Sequence, residues 1–128
     1  MEQNMQDLLI AVPSIFPGGL DVSVSPHFGQ CDVYTLINVK HSHIEGVTII
    51  PSLPHQHGGC LEPVRMLADR KVTAIVVGGM GMRPLMGFSD VGIRVYQADT
   101  RLSVLDAVIS VLDGSSREFK PAHACGGH

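Results

Sequence analysis

Two short runs limit what this chain can fold into: Leu8-Leu9-Ile10-Ala11-Val12, ended by Pro13, and Val72-Thr73-Ala74-Ile75-Val76-Val77, ended by Gly78-Gly79. Neither alternates apolar with polar residues, so neither has a face to turn to water. Short runs of this kind form strands buried on both sides. Such strands need cover on both faces of their sheet, and helices ordinarily supply it. The remaining pattern fits. Residues 33–39 and 44–50 are rich in β-branched residues and joined by Lys40-His41-Ser42-His43, which predicts an antiparallel hairpin with His41 and His43 as solvated tip residues. Residues 14–30 hold two prolines and three glycines and read as a long loop in which residues 20–24 pair briefly.

Pro63 falls in the first turn of a helix whose apolar positions are Leu61, Val64, Leu67 and Ala68. A short helical stretch reaches Phe88, Ile93-Arg94-Val95-Tyr96 gives a last strand, and Ser103 with Asp106 resembles a capping box before a helix that stops at Gly114. A meander followed by βαβα units predicts an α/β fold with a mixed five-stranded sheet, parallel pairing in the second half and right-handed crossovers. The loops after Val12, Val77 and Tyr96 then open on one edge, where the site is expected. Residues 1–7 read as a flexible N-terminus, 8–114 as the domain and 115–128 as a flexible tail.

Composition excludes several classes. Hydrophobic residues make up 45% of the 128 and charged ones 16%, which is globular rather than disordered. The net charge of -3 leaves no basic stripe for a phosphate backbone, so no nucleic-acid partner is expected. The first seven residues lack the pattern of a signal peptide, no apolar run is long enough to span a membrane, and three cysteines is an odd count for a disulfide framework. A cytoplasmic chain with no membrane contact is the expectation.

The histidines and cysteines are clustered. His55-Gln56-His57-Gly58-Gly59-Cys60 and His123-Ala124-Cys125-Gly126-Gly127-His128 each place two imidazoles and one thiol beside a Gly-Gly pair that lets the backbone fold tightly. Solvated surface gives no reason for that. His55, His57, Cys60, His123, Cys125 and His128 are the candidate metal ligands, with Cys31 as the least secure, since it opens a strand where the alternative is to point into the core.

Leu9-Ile10-Ala11-Val12-Pro13, Val24-Ser25-Pro26-His27-Phe28-Gly29, Val76-Val77-Gly78-Gly79-Met80-Gly81 and Gly92-Ile93-Arg94-Val95-Tyr96 together resemble the dinitrogenase iron-molybdenum cofactor biosynthesis family, over residues 8–114. The most specific part is the Ser-Pro-His-Phe-Gly string with the Gly-Gly-x-Gly loop in the right order and distance. The resemblance implies a ribonuclease-H-like three-layer α/β/α fold and binding of metal-sulfur clusters or nitrogenase cofactor precursors; one branch, the orange protein, holds a molybdenum-copper-sulfide cluster noncovalently. It points to His27, Phe28, Gly29, Gly79, Met80 and Gly81 as cluster contacts, and the chemistry of such a cargo adds Met82 and Arg83. A soft, anionic cluster suits thiolate, thioether and imidazole donors with compensating positive charge. For Met86 core packing is expected instead. The two His/Cys segments go beyond the minimal family pattern.

Competing motifs fail. Gly79-Met80-Gly81 begins like a dinucleotide fingerprint, but Pro84 stands at the third glycine position. Two-metal nuclease chemistry needs converging carboxylates, whereas the aspartates here are single. Two readings remain: a non-catalytic carrier of a metal-sulfur cluster containing molybdenum, iron or copper, working with cluster-assembly or acceptor proteins, and a simpler zinc- or copper-binding protein using the two His/Cys segments.

Overall fold

The computed structural model describes residues 7–26, 28, 31–52 and 61–119. Along the chain these form β1 (Asp7–Ser14), β2 (Val33–Lys40), β3 (His43–Pro51), α1 (Leu61–Asp69), β4 (Ala74–Val77), α2 (Met82–Asp90), β5 (Arg94–Gln97), α3 (Val104–Leu112) and β6 (Arg117–Glu118). The strands make one sheet in the order β3-β2-β1-β4-β5-β6. β1 is antiparallel to β2 and parallel to β4, β4 is parallel to β5, and β2 pairs with β3 and β5 with β6 antiparallel.

The two apolar runs are the middle of this sheet. Along β1, Ile10 and Val12 point to one face and Ala11 to the other, all at 0% exposure. On the Ala11 side, α1 and α2 bring Val64, Leu67, Leu85 and Phe88 against Ile75, Val77 and Val95. On the Ile10 side, α3 brings Val104, Ala107 and Val108 against Ala74 and Val76. Pro63 lies within α1, and the Ser103 hydroxyl accepts from the Asp106 N–H at 3.1 Å, capping α3. The hairpin tip is tight: His41 and Ser42 have φ of 53° and 66°, the pair of left-handed residues that a two-residue turn requires. No helix among the described residues is long and apolar enough to cross a membrane.

One expectation is corrected. The sheet has six strands rather than five, because β6 is two charged residues, Arg117 and Glu118, with neither β-branching nor a length that alternation could reveal. Asp7 belongs to β1, and β6 is followed by Phe119, whose N–H donates to the Val95 carbonyl at 2.7 Å and whose side chain packs on the α1/α2-side core. Residues 20–24, expected to pair briefly, do so through the bridges Ser14 to Val24 and Ser23 to Ser103.

Candidate functional site

Because β1, β3, β4 and β5 run one way and β2 and β6 the other, six strand ends lie at one edge of the sheet. They are the ends of β1, β3, β4 and β5 at Ser14, Pro51, Val77 and Gln97 and the starts of β2 and β6 at Val33 and Arg117. The three loops expected to share an edge do so. Each is tied down. Ser25 N–H donates to the Pro13 carbonyl at 2.8 Å and Val24 N–H to the Leu102 carbonyl at 3.2 Å, while the Asp32 carboxylate accepts the Phe16 N–H at 2.9 Å. Beneath them, the fully buried Ser14 and Thr35 hydroxyls lie 2.9 Å apart, and Thr35 also accepts the Gly19 N–H at 3.0 Å.

On the side covered by α1 and α2, Phe28 meets Phe88 edge to face, with ring centroids 5.3 Å apart at 71°, and lies 6.3 Å from the Tyr34 ring. Cys31 belongs to the same cluster at 7% exposure, and Phe28 and Met80 pack against it. Burial pushes the Cys31 thiol up, opposed by hydrogen bonding with the Ser52 and Tyr34 side chains and the Ser14 backbone. The expected contacts Phe28, Cys31 and Met80 thus come together, and Cys31 does point inward.

The glycine loop has two unlike members. A Cβ on Gly78 would overlap Thr100 Cγ2 and lie 3.4 Å from the Ser25 carbonyl oxygen, so glycine there lets three loops touch. Gly79 has no described atom within 4 Å of the same construction. Gly81 follows as the N-cap of α2, which has no side-chain cap and no acidic residue in its first turn, while Met82 is half-buried and Arg83 exposed. An uncapped helix start beside a cation favours negative charge.

On the α3 side the same edge holds a recess of about 580 Å³, lined by Gly78, Gln97, Asp99, Thr100, Ser116 and Arg117 among others. Arg101 binds Asp99 at 2.7 Å and holds its carboxyl down at about 2. Among the described residues that line the recess, the side-chain donors and acceptors are oxygen and nitrogen. Among the described residues no group of three or more His, Cys, Asp or Glu is arranged to hold a metal ion.

A model of the dinitrogenase iron-molybdenum cofactor family matches residues 8–114. The chain belongs to that family. It is 28% identical over 99 residues to an uncharacterised protein of Methanocaldococcus jannaschii, covering 76% of this chain and 83% of that one. Among solved structures it is similar to the apo form of the orange protein from Desulfovibrio gigas, at 26% identity and a TM-score of 0.77, covering 92% of this chain and 96% of that one. A Thermotoga protein described as NifB shares the fold at 19% identity and a TM-score of 0.72, over 87% and 92% of the two chains.

Other expected residues fall elsewhere. Met86, expected in the core, is 51% exposed, because its position on α2 lies away from Leu85 and Phe88, which face the sheet. His41 and His43 are exposed at the hairpin tip, as expected. His27, Gly29, His55, His57, Cys60, His123, Cys125 and His128 lie outside the described residues. Their chain neighbours Phe28 and Ser52 stand on the site edge, Ser52 within hydrogen-bonding reach of Cys31. The sequence reading missed the Ser14 to Thr35 pair and the Asp32 anchor, which carry no motif; the doubled glycine was the available signal for the contact at Gly78.

Proposed function

We propose that this chain carries a metal-sulfur cluster, an iron-molybdenum cofactor precursor or a molybdenum-copper or iron-sulfur assembly, on the α1/α2 side of the loop edge and without catalysing a reaction on it. Phe28, Gly79, Met80, Gly81, Met82 and Arg83, with His27 and Gly29, form the contact surface. Thiolate and imidazole donors come from Cys31, His55, His57 and Cys60, and from His123, Cys125 and His128 of the tail. The observation that carries the reading is Gly79: neither left-handed backbone nor contact with a described atom calls for glycine there, and the missing side chain leaves room for cargo beside the uncapped start of α2. Arg83 and the Met82 and Arg83 N–H groups, which have no side-chain cap among the described residues, match the negative charge of a sulfide cluster, and the methionine thioethers match its softness. Family membership and the likeness to the orange protein support the same cargo class.

Protein purified without oxygen and analysed for metal, acid-labile sulfide and visible absorption tests this. A carrier shows sulfide together with molybdenum, iron or copper and charge-transfer bands. Colourless protein holding zinc alone favours the second reading, a simple His/Cys metal site, which the donor spacing of the two segments supports on its own. Replacing Cys60 and Cys125 together by serine lowers metal retention more than either change alone if the two segments share the cargo.

A further inference from the structure

The two edges of the sheet are unlike. β6 closes one side with two residues, both charged, a blunted edge of the kind that resists further pairing. β3 closes the other with nine residues, and among the described residues no strand pairs with its outer side. Its middle, Gly46-Val47-Thr48-Ile49-Ile50, has no charge and no proline. Val47 and Ile49 stand opposite Ile37 and Thr35 of β2, so they share the α3 face, yet they remain 40% and 45% exposed. A Cβ on Gly18 would stand 3.0 Å from Ile49 Cγ2, so the loop carrying Ile15, 40% exposed, and Phe16, 75% exposed, borders the same apolar strip.

The pairable run has defined ends. Asn38 pairs with Gly46 but Val39 with Ile44, which leaves Glu45 as an extra residue that bends the strand away on one side. On the other side Pro51 has no N–H to offer. Between them lie five residues whose midpoint is Thr48.

We propose that β3 pairs with β3 of a second copy of this chain, antiparallel about a two-fold axis at Thr48, to give a continuous twelve-stranded sheet. The run is complementary to itself in that register. Thr48 meets Thr48, Val47 meets the partner's Ile49 and Ile49 the partner's Val47 on one face, and Gly46 meets the partner's Ile50. Glu45 falls opposite the partner's Pro51, so no like charges meet. Directly opposed apolar and threonine pairs are the units that stabilise a sheet, and an isologous contact closes at two copies. Because β3 ends at the loop edge, antiparallel pairing sends the two edges to opposite ends of the assembly and leaves both free. Dimerisation is therefore independent of cargo.

Sedimentation velocity of the full metal-free chain over a concentration series tests this. The parent doubles its mass as concentration rises, and a variant with Val47→Lys and Ile49→Lys stays at the mass of one chain with the parent's circular dichroism and melting temperature. Independently, Thr48→Cys under mild oxidation gives a disulfide that peptide mapping assigns to position 48 of both copies, since directly opposed Cβ atoms lie about 4.5–5.5 Å apart. A parent that keeps the mass of one chain throughout, a folded lysine variant that dimerises like the parent, or cross-links that omit position 48 would each overturn the proposal.

Discussion

The two halves of the loop edge differ more in chemistry than in architecture. Both are built from segments that leave strand ends, and both meet at Gly78, yet the α1/α2 half gathers Phe28, Cys31 and Met80 while the α3 half gathers hydroxyls, a carboxylate and a guanidinium. Apolar walls with sulfur suit soft, polarisable cargo; oxygen donors suit hard cations or water. One edge can thus present two surfaces, and position relative to the sheet decides which ligand class each can take. The glycine loop sits on the border, with Gly78 serving the contact between the halves and no described atom within 4 Å of a Cβ on Gly79.

The sharpest way to break this contrast is to add one carbon at each of those glycines. Gly78→Ala drives a methyl into Thr100, and overpacking of this kind costs about 1–3 kcal/mol, read as a fall of several degrees in the melting temperature of the apo protein. Gly79→Ala changes stability by less than about 0.5 kcal/mol, as for surface positions generally, and Gly79→Leu abolishes cluster uptake while the apo fold survives. Similar losses of stability at 78 and 79 would erase the distinction.

Thr35→Val probes the layer beneath both halves. The change removes the acceptor of the half-buried Gly19 N–H and one of two partners of the Ser14 hydroxyl, which keeps its bond to the Val12 carbonyl at 2.6 Å, and hydrogen bonds of this kind contribute about 0.5–1.5 kcal/mol each. Chemical denaturation should show that loss. Cluster binding weakens only as far as the loop carrying Phe16 shifts, so a full loss of binding with unchanged stability would mean that Thr35 touches cargo.

The smallest effect concerns pH. Burial raises the Cys31 pKa in the folded chain, so its contribution is fully present below the ordinary thiol range and is lost as pH rises through that range, where the unfolded chain ionises first. The apo protein should lose stability on the alkaline side, and Cys31→Ala should flatten that part of the profile. A parent and variant with parallel profiles would show that the thiol is not buried in solution.

Much of the frame was legible in the sequence. Leu8-Leu9-Ile10-Ala11-Val12 and Ala74-Ile75-Val76-Val77 announce central strands because an uninterrupted apolar run has nowhere to go but between two layers, and Ser103 announces α3 because its hydroxyl is spaced to reach the Asp106 N–H. β6 was hidden because two charged residues carry no periodicity, and its pairing is decided by the edge of β5. At the site, the doubled glycine was visible but the division of labour between Gly78 and Gly79 was not, since it depends on where Thr100 of a distant loop comes to rest. Met86 misled because hydrophobicity alone does not fix which side of a short helix meets the sheet.

The location of the cargo can be read from amide chemical shifts of the full chain, recorded without oxygen before and after addition of tetrathiomolybdate with cuprous ion, and separately of iron with sulfide. The account predicts that Phe28, Cys31 and residues 79–83 move or broaden while Ser110, Ser115, Ser116 and Arg117 stay in place. Shifts concentrated on that serine-lined recess, with residues 79–83 unmoved, would contradict it.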